Sequence, residues 1–157
     1  MPIEKVGVNI FLIPVAGIMG TLLYNRIRLH KEITTTIYLV LLAIALIIFP
    51  LTTGGVMIGI LIASGFFLYG PHVFLVTTIP SRFHDEKIVA ASTGFIDGMG
   101  YIGAALIAII VPFIIDWTGG WESVFYFWSA IPFVIVLLVV VVYVRNRARR
   151  PLKEKTL

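Results

Sequence analysis

Five times along this 157-residue chain the sequence stays apolar for about the length a helix needs to cross a bilayer. The runs are Val6 to Tyr24, Ile33 to Phe49, Val56 to Thr78, Ile88 to Ile115 and Ser123 to Val144. Backbone in hydrocarbon has no water to bond to, which leaves helices or closed barrels. Long continuous apolar runs without strict alternation read as helices. The expected fold class is therefore all-α, a polytopic membrane helix bundle of about five transmembrane helices. Residues 1–144 would form the bundle and 145–157 a basic cytoplasmic tail. Pro50 and Pro80 stand just past the second and third runs, where a missing N–H stops a helix. The fourth run is long enough to tilt or protrude. The first has little basic sequence ahead of it and further runs follow at once, so it reads as a span and not as a cleaved signal.

Composition leaves no room for a soluble domain beside these runs. The AVILMFWYC residues make up 59% and charged residues 13%, with a mean hydropathy of +1.04; a soluble domain carries about 25% charged residues. There is no cysteine, which removes disulfides, thiolate metal sites and cysteine nucleophiles.

The loops set an expected orientation. Arg26, Arg28 and Lys31 lie between the first two runs, and no Lys or Arg lies between the second and third. Arg82 and Lys87 follow the third run, only the acids Asp116 and Glu122 follow the fourth, and six of the chain's twelve Lys and Arg residues fall from Arg145 onward. The positive-inside rule then places the N-terminus outside and the C-terminus in the cytoplasm of a cell-membrane protein. Trp117 and Trp121 are expected in the outer aromatic belt, Tyr24 and Tyr143 in the inner one. The tail is basic enough to attract anionic lipid, but as a flank to a span it reads first as a topology signal, not as a nucleic-acid site.

The spans differ in character. The second and fifth are aliphatic almost all round, as lipid contact requires, whereas the first, third and fourth carry the glycines and polar groups. Ala90, Gly94 and Gly98 recur every four residues, as do Gly100, Ala104 and Ala108, and small residues let helix backbones approach closely. The first, third and fourth spans are expected to form the interior, with the second and fifth peripheral.

Three stretches resemble a known family. GFFLYGP (Gly65–Pro71) resembles the tenth helix of organophosphate:phosphate antiporters of the major facilitator superfamily. ASTGFIDGMGYIGAAL (Ala91–Leu106) resembles the eleventh, and AGIMGTLL (Ala16–Leu23) the end of the eighth. The resemblance runs from about Val6 to Arg150. It implies helices eight to twelve of a twelve-helix sugar-phosphate or glycerol-3-phosphate exchanger, in which eight, ten and eleven face the central cavity. It also implies a partner, the six or seven helices of the missing N-terminal part. Two departures stand out. The loop after the first span reads YNRIRLHK (Tyr24–Lys31), with Asn25 where the family carries an acid. The family's phosphate-binding arginines lie on its first and seventh helices, and no arginine lies inside a span here.

Two ionisable groups besides tyrosines fall deep within spans, His72 and Asp97. His72 precedes Arg82 by ten residues and Asp97 follows Lys87 by ten, which puts both about 15 Å from one surface. A charge at that depth costs at least about 2.5–3.5 kcal/mol, so each needs a cavity or a partner. Asp97 either bonds a neighbouring helix, pairs with an arginine of the missing half, or forms a protonation-sensitive pair with His72. Tyr69 and Tyr101 lie one turn from His72 and Asp97 and either pack at interfaces or offer hydroxyls to a substrate. Tyr69, His72, Asp97 and Tyr101 are thus the candidate substrate-binding, cavity-lining residues. Gly70, Gly94, Gly98, Gly100 and Gly103 are the candidate helix-packing residues, and Pro71 after Gly70 is expected to break the third helix.

Chemistry of other kinds is not legible. There is no Walker loop and no HExxH, and Gly98, Gly100 and Gly103 fit GxGxxG only in mid-span with no preceding strand. No catalytic residue, metal or cofactor is expected. The function expected from the resemblance is part of a secondary transporter for organic phosphates or related small organic anions, working by alternating access without covalent chemistry. Three readings stay open beside each other: a transporter part, a non-transporting relic or membrane scaffold, and a homo-oligomeric pore.

Overall fold

A computed structural model describes residues 3–83 and 85–149, with side chains described over 11–83, 85, 87–141 and 144–145. Five helices run in chain order: α1 (Ile3–Arg26), α2 (Lys31–Ile48), α3 (Gly54–Val73), α4 (Glu86–Thr118) and α5 (Glu122–Arg149). No strand occurs among the described residues. Of these residues, α2 to α5 contain stretches long and apolar enough to cross a membrane, and α1 has 24 residues. The all-α membrane bundle expected from the sequence is the fold observed. The tail beyond Arg149 and the side chain of Tyr143 lie outside the described residues.

Local chemistry accounts for the helix ends. Pro50 sits in a 3-10 turn, Phe49–Leu51, that closes α2. Asp85 caps α4 by accepting from the Lys87 N–H at 2.9 Å. Gly119 ends α4 in the left-handed region at φ 78°, which costs glycine nothing, and its N–H reaches the Ile115 carbonyl at 2.8 Å. Hydroxyls along the spans bond their own helix one turn back: Thr21 to Gly17, Ser64 to Ile60 and Thr77 to Val73. That back-bonding makes a hydroxyl tolerable where no water is available.

The third helix departs from expectation. Pro71 lies inside α3, and the chain stays helical through it. The perturbation appears three residues later, as a π-helical turn over Phe74–Thr78, followed by a 3-10 turn over Pro80–Arg82. The Phe74 N–H faces the carbonyls of both Gly70 and Pro71, so the ladder widens where the proline has disturbed it, without breaking.

Packing within the described residues differs from the expected division into interior and periphery. α1 lies along α3, and α2 bridges α3 on one side and α5 on the other. α2 is therefore central, with Thr34, Tyr38, Leu39, Leu42 and Ala43 buried. α4 is the peripheral helix: it meets the rest of the chain through the Phe74–Arg82 segment and α5, and no residue of its apolar stretch is buried. An aliphatic surface suits protein neighbours as well as lipid, so sequence character alone could not tell the two apart.

The α1–α3 contact is built on glycine. A Cβ at Gly20 would overlap the Phe66 backbone carbonyl, and one at Gly65 would come 2.7 Å from the Ile13 carbonyl oxygen. At Gly17 the obstruction is the Tyr69 ring at 2.6 Å, and at Gly70 it is Tyr38 and Tyr24 at 2.9–3.0 Å. Between helices in lipid, this close approach is the source of adhesion.

Candidate functional site

Tyr69 and His72 sit on one face of α3, beside α1. Their rings lie 6.3 Å apart, and Tyr69 packs over Gly17. Both side chains remain exposed. Asp97 and Tyr101 stand on one face of α4, also exposed, Tyr101 at 79%. The structure brings each pair together but does not bring the pairs to each other, because α4 shares no extended contact with α1 or α3. Between His72 and Arg82 the α3 ladder gives way to the π turn and then the 3-10 turn.

The glycines divide in the same way. Gly70 packs, as expected. A Cβ at Gly94, Gly98, Gly100 or Gly103 would meet nothing within 4 Å, so among the described residues these four pack against no other helix. Sequence reasoning gave α4 the packing role that Gly17, Gly20 and Gly65 carry; the spacing that favours a close crossing does not name the helix that crosses.

The buried polar centre lies where none was expected, at the α1–α2 turn. Tyr24, expected as a belt anchor, is 1% exposed. Its hydroxyl is 2.7 Å from the Thr35 hydroxyl, and its ring stands edge-on to Tyr38 at 5.3 Å. The Tyr38 hydroxyl donates to the Gly20 carbonyl at 3.1 Å. The Lys31 ammonium donates to the Tyr24 carbonyl at 2.9 Å and the Ile27 carbonyl at 3.4 Å, and lies 4.9 Å from the Tyr24 ring centroid. A cation on the last carbonyls of α1 complements the helix dipole, and each aromatic pair adds about 0.5–1.5 kcal/mol beyond its contact area. Phe74, first residue of the π turn, joins the cluster at 5.9 Å from Tyr24 and carries Arg82 at 5.8 Å over its ring. Lys31 and Arg82 are thereby engaged by aromatic rings and carbonyls. The only hint in the sequence is an amphipathic tyrosine beside a basic loop, which reads equally well as an interface residue.

Among the described residues, no three of His, Asp and Glu converge as metal ligands. The arrangement offers an imidazole, a carboxylate and two phenols on faces that the described residues leave open.

The chain is similar to a protein named "Putative glycerol-3-phosphate transporter 4" from Arabidopsis thaliana, with 30% identity over 128 residues. That match covers 73% of this chain and 23% of the relative, so the chain spans about a quarter of the length of the curated protein it matches. No family model and no solved structure matches. Fold and similarity together describe a multi-pass membrane protein related to a transporter.

Proposed function

We propose that the chain is part of a secondary transporter for organic phosphates or related small organic anions, working by alternating access against helices that lie outside it. One observation carries this reading. α4 has 33 residues, sets Asp97 in the middle of an apolar stretch, and turns four glycines to open space. A carboxylate facing lipid at that depth costs about 2.5–3.5 kcal/mol or more, and small residues make a face that another helix approaches closely. Such a face belongs against further protein or a water-filled cavity. In transporters of this general kind, substrate sites form near the bilayer midplane between two halves. The similarity to a protein named as a glycerol-3-phosphate transporter supports the substrate class.

In this reading α1, α3 and α4 supply one wall. Tyr69 and Tyr101 offer hydroxyls, and His72 offers an imidazole whose protonated form favours an anion. Asp97 repels a phosphate, so it serves as a partner to a cation of the completing half or as a proton carrier. No arginine stands within a span, so the principal phosphate ligands would come from the completing half.

The test is to sequence upstream of the Met1 codon, join the chain to the helices encoded there, and measure exchange of labelled glycerol 3-phosphate against phosphate in proteoliposomes. Exchange that is lost in His72→Ala and changed in its pH profile by Asp97→Asn supports the reading. A joined protein that folds yet exchanges no organic phosphate overturns it and leaves the scaffold reading.

A further inference from the structure

At the start of α2 and the end of α5 the helices part to leave a half-open groove of about 170 Å³, lined by Glu32, Ile33, Thr36, Ile37, Val139 and Val140. Residues 32, 33, 36 and 37 share one face of α2 at helical spacing. Four of the six lining side chains are aliphatic. The groove is smaller than the roughly 300–1,000 Å³ of a pocket that encloses a whole small ligand, and its size suits a segment of hydrocarbon chain. It also lies at the right depth for a lipid. Arg145, the first cation after the apolar run of α5, is five residues past Val140, about 7.5 Å further along the axis.

The charge at the groove is specific. Among the described residues, Glu32 is its one charged lining residue, in the first turn of α2. The adjacent Lys31 is turned away, its ammonium bonded to carbonyls of Tyr24 and Ile27. The Thr36 hydroxyl is spent on the Glu32 carbonyl at 2.8 Å. Among the described lining residues, the carboxylate is therefore the group left to meet a headgroup. It repels an anionic headgroup, attracts a cationic one, and bonds only to one with N–H donors.

We infer that this groove holds one acyl chain of a phospholipid with a primary-amine, zwitterionic headgroup, the ammonium donating to the Glu32 carboxylate. The occupant is a phosphatidylethanolamine-type lipid. The site is on the far side of α2 from the α1–α3 contact and does not depend on the transport reading.

The test is native mass spectrometry of the purified full chain released from nanodiscs containing equal parts of phosphatidylethanolamine, phosphatidylcholine and phosphatidylglycerol. The wild-type chain is expected to retain the amine lipid about fivefold over phosphatidylglycerol, the ratio that about 1 kcal/mol carries. Glu32→Gln should bring that ratio close to one. Val140→Trp, which fills the groove from α5, should reduce retention of every lipid, and Ile37→Trp does the same from α2 should the first variant misfold. Equal retention of the amine and glycerol lipids by wild type, a preference unchanged in Glu32→Gln, or a lipid-free dimer that closes the groove would each overturn the assignment.

Discussion

Adding one methyl group at each of four glycines tests the packing of this bundle with the helix-propensity effect held constant. Glycine to alanine inside a helix gains about 1 kcal/mol of propensity wherever it is made. What differs is the obstacle. At Gly20 it is the Phe66 carbonyl oxygen, a backbone atom that no rotamer change can remove, so α1 and α3 must separate. Overpacking of this kind costs about 1–3 kcal/mol; taking the upper end and subtracting the propensity gain leaves a net loss of about 2 kcal/mol. Gly65→Ala meets the Ile13 side chain at 2.6 Å and its carbonyl oxygen at 2.7 Å, and should lose somewhat less. Gly17→Ala meets the Tyr69 ring, which can swing toward its exposed side, and should be close to neutral. Gly98→Ala meets nothing and should stabilise the chain by up to about 1 kcal/mol. The assay is reversible unfolding of the four variants in mixed micelles titrated with SDS, followed by circular dichroism. The decisive result is the order. Should Gly20→Ala prove as stable as Gly98→Ala, the α1–α3 crossing is wrong. Should Gly98→Ala be the most damaging, α4 packs within this chain and the open-face argument falls with it.

The α1–α2 centre gives a second set of outcomes. Tyr38→Phe removes the bond to the Gly20 carbonyl and should cost about 1 kcal/mol, read by the same unfolding titration. Lys31→Met removes the cation from the α1 carbonyls and the Tyr24 ring, and should cost about 1 kcal/mol while speeding amide exchange in the last turn of α1. Asp85→Ala removes the α4 cap and should destabilise by about 0.5–2 kcal/mol, with fraying confined to the first turn in hydrogen exchange. Asp97→Leu should ease insertion of α4 by the chain alone, by about 2.5–3.5 kcal/mol in a translocon assay, while abolishing exchange in the joined transporter; a variant that kept full exchange would place Asp97 outside the transport path.

Spans and their ends were legible in the sequence because they depend on short-range physics. Hydrocarbon demands a continuous apolar run with internal hydrogen bonds, and Pro50 closes α2 through its own missing N–H. The pairs Tyr69 with His72 and Asp97 with Tyr101 were legible for the same reason, since helix periodicity alone puts each on one face. Partner choice was not. Gly20 and Gly98 look alike in sequence, yet one meets a carbonyl and the other meets nothing. Tyr24 looks like a belt residue and is the most enclosed aromatic among the described residues. Pro71 announces a break, and the ladder absorbs it as a π turn further on.

What the sequence determined by itself is that this chain is a bundle of membrane helices with a carboxylate, an imidazole and two phenols set at fixed places along them. What only the tertiary structure decided is which faces meet: that α2 is central, that α1 closes on α3 through Gly17, Gly20 and Gly65, and that the face of α4 bearing Asp97 is left open. The physical reason is that lipid and protein are equally good neighbours for an aliphatic side chain. Apolar pattern therefore fixes that a helix spans, while backbone proximity and buried hydrogen bonds, which involve residues far apart in sequence, decide what it spans beside.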